Sequence, residues 1–393
     1  MRCNPLSFAR RAHPERSIVK IFVPKETTPG ELRVAMIPSV VRKFAQNEFV
    51  VEVETGAGSS AFFADAEYVE AGASIASDFA AGCSGANVVA TVRPLGSRAQ
   101  GLPKECVAIS YISPASDTET ISAVASAGAS LLSFDLVPRI SRAQSMDALT
   151  SQALVTGYRA ALVAAEKLPS FFPLFMTAAG TIQPAKVLVL GAGVAGLQAI
   201  ATAKRLGAKV SAYDVRPASA DEVKSMGAAF ITLDLDALVG EGGYAREMSE
   251  DRATRQRELL TPYIAASDAV ITTAAVPGRT APLLVTREMV ETMHPGSVVV
   301  DLASETGGNV EGSRPGEVVE MGGVFVWGAQ DVASSMPVHA SQLYAMNVLA
   351  LSGLLINEGS IMVDLEDEIL DGCAVVVNGE IRNQVAREAL GVN

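Results

Sequence analysis

The stretch Ala185-Lys-Val-Leu-Val-Leu-Gly191-Ala-Gly193-Val-Ala-Gly196-Leu-Gln-Ala-Ile-Ala decides the fold of this chain. An apolar run, Val187–Leu190, leads directly into glycines spaced as Gly-x-Gly-x-x-Gly, and an alanine-rich segment follows. This order predicts a strand, a tight turn and a helix, as in a dinucleotide-binding βαβ unit. Gly191 permits the turn, Gly193 lets the backbone approach a pyrophosphate, and Gly196 lets helix and strand pack closely. The anion would bind at the helix N-terminus, where unpaired N–H groups and the helix dipole attract it.

A carboxylate ends the next predicted strand, Val210–Asp214. It follows the last glycine by roughly 20 residues, which suits a group that binds both hydroxyls of an adenosine ribose. Because a carboxylate there repels a 2′-phosphate, Asp214 favours NAD over NADP. Arg216 stands two residues later and could meet a 2′-phosphate, so the residues alone leave this preference open.

Strand-like apolar runs alternate with alanine-rich helical stretches along the chain, which indicates βαβ units and mainly parallel sheets. In the first half the predicted strands are Ser17–Pro24, Phe49–Val53, Val88–Val92, Val107–Ile112 and Ser130–Phe134. In the second half they are Val187–Leu190, Val210–Asp214, Ala229–Leu233, Ala269–Thr272, Val298–Leu302 and Val324–Trp327. Helices are predicted at Gly157–Leu168 and Ala340–Glu358, and a small hairpin at Val375–Ile381.

We therefore predict an α/β protein with two Rossmann-like doubly wound domains and the cofactor cleft between them. The N-terminal α/β domain is expected to take in residues 18–150 and 341–393, and the Rossmann domain residues 151–340. Residues 1–17 carry several arginines and a single acid. That composition fits a targeting segment, a start-site artefact or a disordered extension, of which we predict the last.

Composition excludes several classes of protein. Hydrophobic residues make up 49% of the chain and charged residues 19%, as in an ordinary globular protein. The net charge of -12 argues against a nucleic-acid partner and against direct docking on an anionic membrane. The four cysteines and three histidines are dispersed, so we predict reduced thiols and no metal site. The one apolar stretch of near-membrane length, Val187–Ala203, holds the glycine turn, and we predict no membrane span.

A second polar constellation is Arg139-Ile-Ser-Arg142-Ala-Gln144-Ser-Met-Asp147-Ala-Leu-Thr150. It follows a predicted strand, and α/β proteins place ligand contacts after the carboxyl ends of strands. Gln144 and Asp147 are three residues apart and can share a helical face. A charged cluster is also typical of a solvated surface, so the residues alone leave both interpretations open.

Taken together, several motifs resemble the NAD(H)-binding component of proton-translocating nicotinamide nucleotide transhydrogenases. They are Pro24-Lys-Glu-Thr, Gly30-Glu-Leu-Arg33-Val-Ala, Arg139–Asp147, Met176-Thr-Ala-Ala-Gly-Thr, the glycine turn, Gly242-Gly-Tyr244-Ala-Arg-Glu-Met, Thr272–Gly278 and Asp301–Asn309. The likeness covers nearly the whole chain from about residue 18. Its Rossmann portion is shared with alanine dehydrogenases, whereas the Arg139–Asp147 segment is specific to transhydrogenases.

The resemblance implies a role for each residue of the second constellation. Arg139 and Asp147 would hold the nicotinamide carboxamide, and Gln144 would reach the nicotinamide ribose of NADP(H) on a partner domain. Thr150 keeps the hydroxyl of the family's serine, and Tyr244 would lie on a mobile loop that closes over the nucleotide. Hydride would pass directly between two nicotinamide rings, so catalysis would consist of positioning and water exclusion. The implied NAD(H) ligands are Gly191, Gly193, Val194, Ala195, Gly196, Asp214, Val215, Arg216, Thr273, Ala274, Pro277 and Gly278.

The same resemblance implies partners and a location. The chain is similar to the separate α subunit, which forms a homodimer and works with a membrane-embedded subunit and an NADP(H)-binding subunit. It would be cytoplasmic and peripheral at the inner membrane through these partners. One departure is Ala329-Gln330-Asp331-Val-Ala-Ser-Ser-Met, where the family usually has a Thr-Asn-Leu-Pro-Ser-like stretch. We expect any change in nucleotide affinity or partner docking to arise there.

Two other functions stay open at this point. An alanine dehydrogenase is favoured by Arg33, which matches the arginine that binds the substrate carboxylate. The places of that family's lysine and histidine correspond to Arg93 and to Ser113 or its neighbour, which leaves no titrating histidine for acid–base chemistry. A non-catalytic NAD-sensing paralogue is disfavoured by the intact Gln144 and Asp147.

Overall fold

The structure is a computed structural model that describes residues 19–46, 49–235, 250–275, 280–357 and 360–392. The chain divides into two compact units. Unit 1 comprises the described residues of Met1–Glu26, Val34–Pro138 and Ala345–Asn393, and unit 2 those of Thr27–Arg33 and Arg139–Tyr344. Among the described residues, no helix combines the length and the apolar character that crossing a membrane requires.

The elements alternate along the chain. The first are β1 (Val19–Val23), α1 (Pro38–Gln46), β2 (Phe49–Glu54), α2 (Asp65–Glu70), β3 (Ser74–Ala76), α3 (Phe79–Cys83), β4 (Val88–Ala90), β5 (Val107–Ser110), α4 (Thr118–Ala127) and β6 (Ser130–Ser133). Next come α5 (Ala148–Lys167), β7 (Phe175–Thr177), β8 (Gly180–Ile182), β9 (Lys186–Leu190), α6 (Val194–Arg205), β10 (Lys209–Tyr213), α7 (Ser219–Ser225), β11 (Ala229–Phe230), α8 (Glu250–Ala265), β12 (Ala269–Thr272), α9 (Arg287–Glu291), β13 (Val298–Asp301), β14 (Val318–Met321), β15 (Val324–Gly328) and α10 (Pro337–Ser352). The chain ends with β16 (Ile356–Asn357), β17 (Ser360–Ile361), α11 (Glu368–Cys373), β18 (Ala374–Val377), β19 (Glu380–Ile381) and α12 (Gln384–Leu390).

Unit 1 is built on an eight-stranded sheet in the order β19-β18-β6-β5-β4-β1-β2-β3. Its strands are parallel from β3 to β6, whereas β18 runs antiparallel to β6 and pairs with β19 in a hairpin. Every residue of β4, β5 and β6 is buried, which is typical of parallel strands covered on both faces. The predicted C-terminal hairpin is confirmed.

Unit 2 carries a seven-stranded sheet in the order β11-β10-β9-β12-β13-β15-β14. All neighbours are parallel except β14 and β15. The chain reverses its winding beside β9, since β10 lies on one side of it and β12 on the other. In open α/β sheets this switch point is where ligands bind, beyond the carboxyl ends of the strands. The prediction of an α/β fold with two parallel-dominated sheets is confirmed.

The structure corrects several predicted elements. The strand expected at Ala229–Leu233 is only β11, because this edge strand pairs with β10 through two residues. The helix expected from Ala340 to Glu358 begins at Pro337, a favoured first helical residue, and ends at Ser352 before Gly353. β14 was not predicted from the sequence, because half-exposed edge strands lack a continuous apolar run.

Candidate functional site

Two of the three motif glycines are required by packing inside unit 2. Gly191 follows β9 with φ +100°, and a Cβ there would stand 2.6 Å from Thr273 Oγ1. A Cβ on Gly196 would stand 2.0 Å from the carbonyl oxygen of Gly191. The turn and the first turn of α6 are therefore in direct backbone contact, and no larger residue fits at either position.

The middle glycine has a different explanation. Among the described residues, no atom would lie within 4 Å of a Cβ on Gly193, and its φ of -75° is open to any residue. Gly193 is the N-cap of α6 and offers no side-chain cap to the first N–H groups of the helix. Bare backbone facing open space at a helix N-terminus is the arrangement that a closely approaching phosphate needs.

Asp214 lies one residue beyond β10 and is held from two sides. Its carboxylate accepts from the N–H of Ala192 at 2.7 Å, from the N–H of Arg216 at 2.8 Å, and from Arg216 Nε at 2.9 Å and Nη2 at 3.0 Å. Burial by itself raises the pKa of this carboxyl, but the Arg216 and Ala192 hydrogen bonds lower it below its usual range. Asp214 is therefore ionised at neutral pH, and its negative charge is shared with Arg216.

Helix α8 carries a buried polar face that sequence reasoning missed. Gln256 is 1% exposed, and its Oε1 has no hydrogen-bond partner among the described residues. Arg252, one turn earlier, has a buried Nε that is likewise without a hydrogen bond in the described part of the chain. Leu260 and Ile264 of this helix belong to the same buried hydrophobic cluster as Tyr213 at the end of β10. The pKa of Tyr213 is raised to about 12, mainly by burial and to a smaller extent by Asp214, while the charge of Arg252 lowers it.

The signal for this face was present in the sequence. Arg252, Gln256, Leu260 and Ile264 recur every four residues, so the polar pair continues the buried apolar stripe of α8. A buried amide oxygen without a partner costs free energy, which a ligand donor could recover. Tyr244, which the resemblance assigns to a loop that closes over the nucleotide, lies outside the described residues, as do Pro277 and Gly278.

The Arg139–Thr150 segment forms the approach to α5. Residues Ser141–Met146 make a 3-10 helix in which Ala143 and Met146 are buried while Gln144 is exposed. Asp147 is the N-cap of α5: its Oδ1 accepts from the N–H of Thr150 at 2.8 Å, and its Oδ2 from the Thr150 hydroxyl at 2.6 Å. This cap explains why α5 begins at Ala148, well before the predicted start at Gly157.

Gly157 connects this segment with the glycine turn. A Cβ on Gly157 would stand 2.0 Å from the carbonyl oxygen of Ala195, so α5 and the start of α6 are in backbone contact. Asp147 precedes Gly157 by ten residues, which places it about 15 Å along the α5 axis from that contact. Unit 2 thus contains both the glycine turn and the polar constellation, joined through one close helix–helix contact.

Arg33 is fixed in a buried network inside unit 2. Its guanidinium donates to both carboxylate oxygens of Glu31, at 2.7 and 2.6 Å, and to Gln152 Oε1 at 2.9 Å. Gln152 in turn donates to the carbonyl oxygen of Ala340 at 3.0 Å. Arg33 is 5% exposed. The network ties residues 27–33 to α5 and α10, which gives Arg33 a structural role.

The atypical segment 329–336 is anchored to the same unit. Ser334 Oγ accepts from the N–H of Leu32 at 2.7 Å and donates to the carbonyl oxygen of Gly30 at 2.9 Å. Asp331 adopts φ +45°, a left-handed conformation that aspartate and asparagine tolerate better than most residues. Its N–H donates to Glu305 Oε2 at 3.2 Å. The segment is thus held by specific contacts despite its departure from the family pattern.

The polar residues singled out in unit 1 lie after its strands. Glu26 accepts from the N–H groups of Val92 at 2.6 Å and Arg93 at 3.2 Å, and the N–H of Ser113 donates to Asp117 at 2.6 Å. Sequence reasoning missed Asp135, which follows β6. Burial raises the pKa of Asp135 to about 6, with a smaller contribution from Asp117, while Arg93 and a backbone N–H lower it. This carboxyl therefore titrates near neutral pH.

Comparison with known proteins gives a consistent result. The family model of the alanine dehydrogenase/PNT N-terminal domain matches residues 22–156, and that of the C-terminal domain residues 160–384. A relative from Rhodospirillum rubrum, named as the first part of NAD(P) transhydrogenase subunit alpha, is 44% identical over 374 residues, which cover 92% of this chain and 97% of the relative. The solved structure of transhydrogenase from Sinorhizobium meliloti has a TM-score of 0.83 at 44% identity and covers 92% of this chain and 100% of its own. Alanine dehydrogenase from Bacillus subtilis is more distant, at 28% identity over 94% of each chain.

Proposed function

The chain belongs to the alanine dehydrogenase/PNT family, and on that premise we propose that it is the NAD(H)-binding subunit of a proton-translocating transhydrogenase. Unit 2 would bind NAD(H), and a partner subunit would hold NADP(H). The observation that carries this proposal is Gly193, a glycine that packing within the described chain does not require. It opens a helix beside an ionised Asp214, where a pyrophosphate and a ribose would bind.

The residues at the turn fit NAD(H). The α6 N–H groups of Val194, Ala195 and Gly196 would face the pyrophosphate, and Asp214 with Val215 would meet the adenosine ribose. Arg216 already donates to both oxygens of Asp214, so its charge is largely engaged and a 2′-phosphate would displace it from this ion pair. Thr273 and Ala274, with Pro277 and Gly278, would form the neighbouring wall. We add Gln256, whose Oε1 has no hydrogen-bond partner among the described residues and suits an amino group of the nucleotide.

At the nicotinamide end the proposed roles are positional. Bound NAD(H) supplies the hydride donor or acceptor. Arg139 and Asp147 would orient the carboxamide, with Thr150 holding the Asp147 carboxylate in place through its hydroxyl. The exposed Gln144 would contact the partner's nucleotide, and Tyr244 would help to exclude water. Direct transfer needs no acid or base from this chain, which agrees with the absence of histidine from the proposed set.

Other subunits are part of the proposal. The name of the Rhodospirillum rubrum relative describes it as the first part of an alpha subunit, which implies further chains in that enzyme. We propose that this chain likewise works with a membrane-embedded subunit and an NADP(H)-binding subunit, as a cytoplasmic protein held at the inner membrane by them.

A homodimer is supported by an apolar hairpin in unit 2. Within the described part of the chain β7 and β8 form a separate two-stranded sheet, and all their residues are exposed. The exposed apolar side chains on and beside them are Phe171 at 56%, Leu174 at 48%, Phe175 at 42%, Met176 at 79% and Ile182 at 43%. An isolated two-stranded hairpin is marginally stable in water, so a second copy covering this face would stabilise it. Sedimentation of the purified chain tests this oligomeric state.

One experiment separates the candidate functions. The purified chain is titrated with NADH and with NADPH, and then assayed with NADP⁺ plus an isolated NADP-binding transhydrogenase domain, and separately with pyruvate plus ammonium. We expect selective NADH binding and hydride transfer only when the partner domain is added. Turnover of pyruvate without a partner would instead identify an alanine dehydrogenase, in which Arg33 and Asp135 would become the residues to test. NADH binding without either reaction would identify a sensing paralogue.

A further inference from the structure

The loop that follows β12 forms one wall of the glycine turn. The N–H of Thr273 donates to the carbonyl oxygen of Leu190 at 2.8 Å. Its hydroxyl donates to the carbonyl oxygen of Gly191 at 3.0 Å. Ala274 comes next and belongs to the proposed nucleotide site. No later residue of this loop that we assign to the site lies within the described residues, since 276–279 are outside them. Any group that fixes Ala274 therefore fixes the wall of the site.

A single buried amide holds both ends of this loop. Asn309 is completely buried, and its Nδ2 donates to the carbonyl oxygens of Ala274 and Pro282, each at 2.8 Å. Its Oδ1 accepts from the N–H of Ala274 at 3.0 Å. Because two acceptors face one end of the amide and a donor faces the other, a flipped amide would oppose all three groups.

Asn309 is itself held by a buried aspartate side chain. Asp301, at the end of β13, is completely buried and accepts from the N–H of Asn309 at 3.1 Å, from Thr272 Oγ1 at 2.9 Å and from Ser313 Oγ at 2.5 Å. The chain reaches this position through Gly308, which has φ +79° and would place a Cβ 2.9 Å from Asp301 Oδ2. The Gly308–Asn309 turn is therefore shaped around Asp301 so that the amide points at the loop.

We propose that Asn309 is a positioning residue for nucleotide binding, acting by linking Ala274, which lies beside the glycine turn, to Pro282. This inference rests on the proposed binding of NAD(H) by unit 2. Asn309 is buried beneath the loop and acts on the nucleotide through Ala274. Without this clamp, Ala274 would leave its position against the turn while the sheet stays intact, because β12 and β13 pair through their own backbone.

The test compares Asn309→Asp with Ser313→Ala. Asn309→Asp keeps an acceptor for Ala274 but sets a carboxylate against two carbonyl oxygens. Ser313→Ala removes a hydrogen bond from the same Asp301 and leaves the loop contacts intact, so it reports the cost of disturbing that side chain alone. Asn309→Ser, which removes the clamp without adding charge, serves as a second variant if the aspartate prevents folding. NADH affinity is measured by fluorescence titration, alongside thermal unfolding of each variant.

We expect the Asn309 variants to bind NADH about tenfold more weakly or worse, as for the loss of buried hydrogen bonds. Ser313→Ala should bind NADH like the wild-type chain even though its Tm falls. With the NADP-binding domain added, the KM for NADH should rise while kcat at saturating NADH stays within about twofold, because the clamp serves binding. Equal NADH affinity in Asn309→Ser and Ser313→Ala would overturn the clamp. Failure of the wild-type chain to bind NADH would instead overturn the proposed function.

Discussion

Replacing Gly193 with alanine separates a glycine that serves a ligand from glycines that serve the fold. The added methyl group would meet no atom of the described residues within 4 Å, and the backbone at φ -75° and ψ -169° accepts alanine without strain. Alanine also restricts the unfolded chain, so Gly193→Ala should leave the free energy of unfolding unchanged or raise it by about 0.4–1 kcal/mol. The same methyl group would occupy the space through which a phosphate reaches the N-terminus of α6.

The expected loss of affinity follows from the hydrogen bonds that the methyl group would lengthen. Hydrogen bonds to a charged group contribute about 1.5–3 kcal/mol each. Losing one of them raises the Kd for NADH roughly 10- to 100-fold. Fluorescence titration gives this Kd, and urea unfolding gives the stability of the same preparation.

Gly196→Ala is the matched control within the motif. Its Cβ would stand 2.0 Å from the carbonyl oxygen of Gly191, so this variant should unfold at lower urea, with the loss typical of overpacking, about 1–3 kcal/mol or more. If Gly193→Ala bound NADH as tightly as the wild-type chain, the reasoning about the open face of the turn would be refuted.

Three further predictions concern individual side chains. Asp214→Asn removes the negative charge that is proposed to meet the ribose, and it frees Arg216 from its ion pair. The ratio of NADPH to NADH affinity should therefore rise at least about tenfold in parallel titrations, and an unchanged ratio would contradict the proposed role of Asp214. Gln256→Leu removes a buried carbonyl oxygen that has no hydrogen-bond partner among the described residues, so the free energy of unfolding should stay the same or increase. NADH should bind more weakly to this variant, and an unaltered NADH affinity would contradict the proposed role of Gln256. Asp135 has a pKa raised to about 6 in the folded chain, so between about pH 4 and pH 6 the folded state binds more protons and stability falls as the pH rises. Urea unfolding at a series of pH values should show that Asp135→Asn removes roughly 1–3 kcal/mol of this decrease in the free energy of unfolding. An identical pH profile in the variant would show that the pKa of Asp135 is not raised in the folded chain.

The sequence predicted those parts of the site whose causes are local. The glycine turn follows from neighbouring residues, since Gly191, Gly196 and the start of α6 constrain each other over a few positions. The position of Asp214, one residue beyond β10, was predicted to within a residue because a βαβ unit imposes the spacing between the glycine turn and the end of the next strand. Central strands such as β12 were predicted because burial on both faces requires continuous apolar runs.

The rest depends on contacts between distant parts of the chain. Asn309 meets Ala274 across 35 positions, and nothing in either local sequence announces the pairing. The raised pKa of Asp135 arises from burial after β6, which composition does not reveal. Arg33 was matched to a substrate-binding arginine from its motif alone, whereas its Gln152 partner lies 119 positions away.

The central claim is that hydride passes directly from NADH on this chain to NADP⁺ on a partner, and isotope transfer tests it most directly. The chain is mixed with an NADP-binding transhydrogenase domain, NADP⁺ and NADH deuterated on one face of C4, and the NADPH formed is analysed by mass spectrometry. With one of the two C4 epimers of deuterated NADH, direct transfer predicts that the deuterium appears in NADPH without exchange with water. Loss of the label to solvent from both epimers, or formation of no NADPH at all by a chain that binds NADH, would contradict the account.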